Sequence, residues 1–182
     1  MIHFILGGAR SGKTSYAEML AQQSKKPVVY LATAKAHDNE MQDRILHHQR
    51  SRPEHWTTRE EPFDIDKVIS DKSYSNHCIL IDCLTLWVTN LLCDERDVSA
   101  YKARLLSALD ETQTDVFVVS NETGMGVVPM GSLTRQFCDE SGWLHQAVAA
   151  KADKVSLMVA GIPMPVKQYH QLHIGSYCVH YI

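Results

Sequence analysis

A run of small and charged residues near the start of the chain, Gly7-Gly8-Ala9-Arg10-Ser11-Gly12-Lys13-Thr14, has the spacing Gly-x-x-x-x-Gly-Lys-Thr. It follows the apolar run Ile2-His3-Phe4-Ile5-Leu6 and precedes a helical pattern, the strand–loop–helix setting of a P-loop. Glycines let successive backbone N–H groups turn toward phosphate oxygens, and the following helix adds the positive end of its dipole. Lys13 is a compact cation able to reach terminal phosphates, and the Thr14 hydroxyl is a ligand for Mg²⁺. The chemistry expected here is binding of a nucleoside triphosphate.

A second candidate is Asp82, which ends the apolar run Cys78-Ile79-Leu80-Ile81. Strand ends of open α/β sheets line the ligand crevice, and an acidic residue there partners Mg²⁺ or a water. The same aspartate would also serve as a cap for a helix starting near Leu84.

The third is Arg44-Ile45-Leu46-His47-His48-Gln49-Arg50-Ser51-Arg52-Pro53-Glu54-His55-Trp56. On a helix from Asp38 to about Ser51, Met41, Ile45 and His48 share one face, and His47 is rotated off it between Arg44 and Arg50. Two guanidiniums make a phosphate environment and hold an imidazole neutral, with one ring nitrogen free as a nucleophile. Asp43, one turn earlier, could orient the other nitrogen. By residue type alone, a solvated basic helix face fits this run better, since charge runs usually mark exposed faces.

These groups must be held by a scaffold. With 182 residues, 45% of them hydrophobic, the chain has the size and composition of one domain with a sizeable core. Apolar runs alternate with helical patterns, which predicts an α/β fold with a mainly parallel sheet flanked by helices. Strands are expected at 2–6, 28–32, 78–82, 116–120 and 155–160. Helices are expected at 15–24, 38–51, 63–70, 84–92, 99–109 and 132–152, with Gly142 a possible break in the last. The His- and Tyr-rich stretch 168–182 shows weak patterning and reads as an edge strand at 177–180 or a loose tail.

A net charge of −3 offers no general attraction to nucleic acid or anionic membrane, and no apolar stretch approaches a membrane span. Five cysteines without a Cys-x-x-Cys pair, and an N-terminus that reads straight into a strand, point to reduced thiols in a cytoplasmic protein.

Several strings together resemble one family. They are the Gly7–Thr14 loop, Tyr30-Leu31-Ala32-Thr33-Ala34, the His47-His48-Gln49 run through Arg52-Pro53 to His55-Trp56, Ile81-Asp82-Cys83-Leu84-Thr85-Leu86-Trp87, and Ser120-Asn121-Glu122-Thr123-Gly124-Met125-Gly126-Val127-Val128-Pro129. The chain is similar in these to the bifunctional adenosylcobinamide kinase/adenosylcobinamide-phosphate guanylyltransferases of cobalamin biosynthesis. The likeness runs from about residue 2 to about residue 167, which defines a single P-loop domain of the RecA-like class over 1–167 and an extension over 168–182.

The resemblance implies a transferase with two activities. ATP or GTP would phosphorylate adenosylcobinamide, and His47 would take GMP from GTP and pass it to the phosphorylated corrinoid. It also implies that Gly7, Gly8, Ala9, Arg10, Ser11, Gly12, Lys13 and Thr14 hold the nucleotide. Leu31, Ala32, Thr33, His48, Gln49, Arg50, Ser51, Glu60 and Asp82 would contact it as well. Thr14 and Asp82 would hold Mg²⁺, His47 and Lys13 would be catalytic, and the assembly would be a homotrimer. A kinase lacking guanylyl transfer, or a regulatory P-loop NTPase using Arg10, would keep the loop and Asp82 but leave His47 without a task. The chain has His145-Gln146 where the family pattern has Asn-Gln. Met125-Gly126 and Trp87 are candidates for a corrinoid surface or for ordinary packing.

Overall fold

The computed structural model describes residues 1–35 and 53–168. The expected helix 38–51, with His47, His48, Gln49, Arg50 and Ser51, lies outside the described residues, as does the tail from 169 onward.

Seven strands form one sheet in the order β3-β2-β4-β5-β1-β6-β7. The strands are β1 (Ile2–Gly7), β2 (Val28–Ala32), β3 (Thr57–Glu60), β4 (Cys78–Asp82), β5 (Asp115–Asn121), β6 (Lys154–Val159) and β7 (Ile162–Lys167). All pairings are parallel except β6 with β7. The helices are α1 (Lys13–Gln23), α2 (Ile65–Ile69), α3 (Leu84–Cys93), α4 (Val98–Glu111) and α5 (Ser132–Lys151).

Covering both faces of a parallel sheet requires central strands that are apolar along their whole length. β2 and β4 are buried at nearly every position, and their alternate residues feed two cores. Phe4, Val29, Leu31, Ile79, Ile81 and Val118 pack with α2 to α5. Ile5, Tyr30, Leu80, Phe117 and Val119 pack on the other face with α1 residues Ala17 and Ala21.

Two strands escape the apolar pattern. β3 is Thr-Thr-Arg-Glu, exposed at all four positions, and exists because β2 offers it a parallel edge from Val29 opposite Thr57 to Ala32 opposite Glu60. β7 is Ile-Pro-Met-Pro-Val-Lys, whose prolines suit only an edge. Its two-residue turn has positive φ at Ala160 (50°) and Gly161 (81°), as a primed hairpin turn demands. In the sequence, alanine at the first turn position conceals that signal.

α5 runs unbroken through Gly142, where a Cβ would meet no atom within 4 Å. Trp87 is fully buried and its indole N–H donates to Phe63 O at 2.7 Å, so it belongs to the core and presents no corrinoid surface. Four described cysteines are free thiols, Cys78 and Cys83 buried among them.

Two measurements test this packing. Gly142→Ala removes the entropic cost of a helical glycine in open space and should raise stability by about 0.5–1 kcal/mol in denaturant unfolding. His3, buried against Tyr16 and bonded to Ser156 Oγ at 2.9 Å, has its pKa lowered from 6.5 to about 4 by burial and then by Lys154. A group kept neutral by folding stabilises the protein above its unfolded pKa. That contribution, up to about 3 kcal/mol, should be lost as pH falls from about 6.5 toward 4. Urea unfolding between pH 7 and 4 should show a shallower slope for His3→Gln than for the parent chain.

Candidate active site

β1 ends at Gly7, where the loop turns back on itself. A Cβ at Gly7 would lie 2.6 Å from Ser11 Oγ and 2.7 Å from Met158 O, so only hydrogen fits between loop and β6. The N–H of Ser11 donates to Gly8 O at 3.3 Å, and Gly161 N–H donates to Ser11 O at 3.0 Å, bracing the loop from the β6–β7 turn. Gly12, at φ 92°, is the left-handed entry to α1.

Lys13 begins that helix and is 7% exposed. Its ammonium donates to Gly8 O at 2.5 Å and to Ser11 Oγ at 3.4 Å. Burial lowers its pKa, opposed by the charge of the nearby Asp82 carboxylate. One turn of loop therefore holds a partly desolvated cation pointing back over its own carbonyl, where phosphate oxygens would be the stronger partners.

Asp82 closes the other side. Thr14 Oγ1 donates to Asp82 Oδ2 at 3.0 Å, and Tyr30 OH donates to the same oxygen at 2.6 Å. The α3 helix has Cys83 at its N-cap with no side-chain cap bond, so Asp82 faces the loop and is not a helix cap. One hydroxyl and one carboxylate at this spacing could hold a hard divalent cation that takes its remaining ligands from phosphate and water. No group of three or more His, Cys, Asp or Glu side chains suited to a metal occurs among the described residues.

Between these walls lies a cleft of about 670 Å³. Of the residues singled out from sequence, Ala9, Arg10, Ser11, Gly12, Lys13, Thr14, Ala32, Glu60 and Asp82 line it. Edge strand β3 is what carries Glu60 to the mouth, beside Ala32. Leu31 and Thr33 do not line it. Leu31 alternates onto the opposite face of β2, fully buried in the other core. Thr33 is equally buried and ties two strand ends together, its hydroxyl donating to Cys83 O at 2.7 Å and accepting from Cys83 N at 2.9 Å. Gly7 and Gly8 shape the loop from behind. Met125 is exposed on the loop after β5.

Tyr30, Cys83 and Asn121 also line the cleft and were not singled out. Asn121 was legible, since it ends an apolar strand just as Asp82 does. Tyr30 was not, because a tyrosine within a buried strand reads as core. Burial, and next the Asp82 charge, push the Cys83 thiol up to about 12, so it stays protonated and inert.

The crystal structures of the flagellar accessory protein FlaH from Methanocaldococcus jannaschii and of the RadB recombinase superpose with TM-scores of 0.51 and 0.50. They are 13% and 17% identical, with 92% and 86% of this chain and 78% and 73% of theirs covered, a likeness of fold alone. The fold is a mostly parallel sheet flanked by helices, of the RecA-like class. The bifunctional adenosylcobalamin biosynthesis protein CobP of Pseudomonas aeruginosa is 49% identical over 169 residues, covering 92% of this chain and 98% of the relative. The protein CobU of Escherichia coli, described in the same words, is 38% identical over 182 residues, covering 92% and 100%. The family model for cobinamide kinase/cobinamide phosphate guanyltransferase matches residues 3–166. The chain therefore belongs to the cobinamide kinase/cobinamide phosphate guanyltransferase family, enzymes of adenosylcobalamin biosynthesis.

Proposed function

We propose that the cleft binds ATP or GTP on the Gly7–Thr14 loop and serves two successive transfers to a corrinoid. The observation that carries this reading is the Thr14–Asp82 pair, 3.0 Å apart beside Lys13 at the start of α1. Thr14 and Asp82 would hold Mg²⁺, which supplies charge neutralisation at the departing phosphates.

In the first transfer, the aminopropanol hydroxyl of adenosylcobinamide bonds to the terminal phosphorus. The bridging P–O bond breaks, the nucleoside diphosphate leaves, and the hydroxyl proton is lost to solvent. Lys13 follows the charge that builds on the phosphates, and Tyr30 keeps the Asp82 carboxylate aimed.

In the second, a ring nitrogen of His47 attacks the α-phosphorus of GTP and pyrophosphate departs. The resulting P–N bond then breaks as a phosphate oxygen of adenosylcobinamide phosphate takes the GMP, giving adenosylcobinamide-GDP and free His47. Arg44 and Arg50 flank His47 in sequence and are suited to the charge on the transferring group. His48, Gln49 and Ser51 would complete the guanine-nucleotide site.

We take 1–167 as one catalytic domain, a reading supported by the single sheet that spans Ile2 to Lys167, with 168–182 an extension. The homotrimer is what the resemblance implies, and the loop between β5 and α5, where Val127 is 95% and Met130 97% exposed, offers an apolar face for self-association. A cytoplasmic setting fits the free thiols, and no described helix is long and apolar enough to cross a membrane.

Incubation with α-³²P-GTP and Mg²⁺ followed by denaturation should leave acid-labile, base-stable label on the protein, absent in His47→Ala. An unlabelled parent chain that still consumes the γ-phosphate would reduce the enzyme to a kinase. For the assembly, Val127→Glu with Met130→Glu should convert trimer to monomer in sedimentation, and an unchanged mass would remove this loop from the interface.

A further inference from the structure

β5 lies between β1 and β4, so its C-terminal end emerges between the Lys13 loop and Asp82. Asn121 is the last residue of β5 and lines the cleft at that point. Behind it runs a ladder of buried and half-buried polar groups drawn from three elements. The Asn121 N–H donates to Thr85 Oγ1 of α3 at 2.7 Å. Thr85 Oγ1 lies 3.1 Å from Ser120 Oγ, and Ser120 Oγ lies 2.8 Å from His145 Nε2 of α5.

Ser120 is fully buried and His145 nearly so, with Phe4 packed against the ring. Burial lowers the His145 pKa against the opposing pull of Glu122, whose Oε2 lies 3.8 Å from Nδ1. The carboxylate favours the proton on Nδ1, which leaves Nε2 to accept from Ser120. Glu122 N–H, the next along the chain, donates to Gly7 O at 2.9 Å, stitching the end of β5 to the start of the phosphate loop. A polar ladder in a dry core is costly unless every member is satisfied, and when satisfied it fixes one geometry where apolar side chains would tolerate several.

We propose that Asn121 positions the reacting groups of the phosphoryl-transfer step, and that the Thr85–Ser120–His145 ladder sets Asn121. This rests on the reading that the cleft holds the triphosphate. A carboxamide offers an N–H to an oxygen of the terminal phosphate and a carbonyl to the hydroxyl that attacks it. It takes no proton in the step. The hydroxyl oxygen bonds to the terminal phosphorus, the bridging P–O bond breaks, the diphosphate leaves, and the proton passes to solvent. Aligning donor and acceptor is the task, and it belongs to the kinase half-reaction, since guanylyl transfer breaks the α–β bridge further along the nucleotide.

The test uses the full-length protein and three readouts: GTP affinity by calorimetry, kcat and KM for corrinoid phosphorylation with γ-³²P-GTP, and α-³²P labelling of the protein. Asn121→Ala should lower the kinase kcat about 100-fold while GTP affinity changes less than about threefold and α-label persists. His145→Leu should lower kcat about tenfold with KM for GTP unchanged, and His145→Gln, whose amide reaches the Nε2 position, should recover most of it. A kcat for Asn121→Ala within about twofold of the parent overturns the proposal, as do equal losses for the Leu and Gln variants. Failure of the cleft reading itself looks different, since Lys13→Ala would then leave GTP affinity untouched.

Discussion

One carboxylate oxygen, Asp82 Oδ2, organises the working edge of this protein. It accepts from Thr14 of α1 at 3.0 Å and from Tyr30 of β2 at 2.6 Å, so a single acceptor joins helix, neighbouring strand and its own strand β4. A charged acceptor in a partly buried site forms hydrogen bonds about twice as strong as neutral ones. The Gly7–Thr14 loop, the Asp82 strand and the floor of the cleft therefore cannot shift independently. Both donors take the same oxygen, which leaves the geometry of the second oxygen to whatever enters the cleft.

The parallel sheet explains why polar groups collect there. Every parallel strand ends at the same edge, and strands covered on both faces can carry polar residues cheaply only where they stop. Gly7, Asp82 and Asn121 are such ends on β1, β4 and β5. Further ties hold that edge together: Thr33 clasps both sides of the Cys83 backbone, and Asn90 donates to Thr33 O at 2.7 Å. Lys13 sits within this frame as a cation whose pKa burial depresses, and a phosphate offers it more than the Gly8 carbonyl it now holds.

Enzymes that run two transfers in one chain need their nucleotide placed in more than one way. A rigid edge with a single phosphate loop suits that demand if the two reacting phosphorus atoms are served by different side chains. In the reading developed above, the described cleft serves the terminal phosphate, and the histidine-bearing segment serves the α-phosphorus.

The strand–loop–helix path of Gly7–Thr14, the buried strands and the place of Asp82 at a strand end were readable from residue types alone. Each is a local signature, a strict spacing or an apolar run long enough to have one interpretation. Other features arose only when distant segments met. β3 has no apolar residue and is a strand solely because β2 presents an open edge, yet it delivers Glu60 to the cleft. β7 carries two prolines and an Ala-Gly turn, and it forms by pairing with β6. Leu31 and Thr33 are neighbours of Ala32 in the chain, but β alternation and the Cys83 contacts turn both away from the cleft. Tyr30 and His145 acquire their roles from partners 52 and 25 residues away, Asp82 and Ser120. Patterning reports which face of an element is apolar. Which polar atoms then satisfy one another is decided by packing, because a buried hydrogen bond depends on position in space and leaves no periodic trace in the chain.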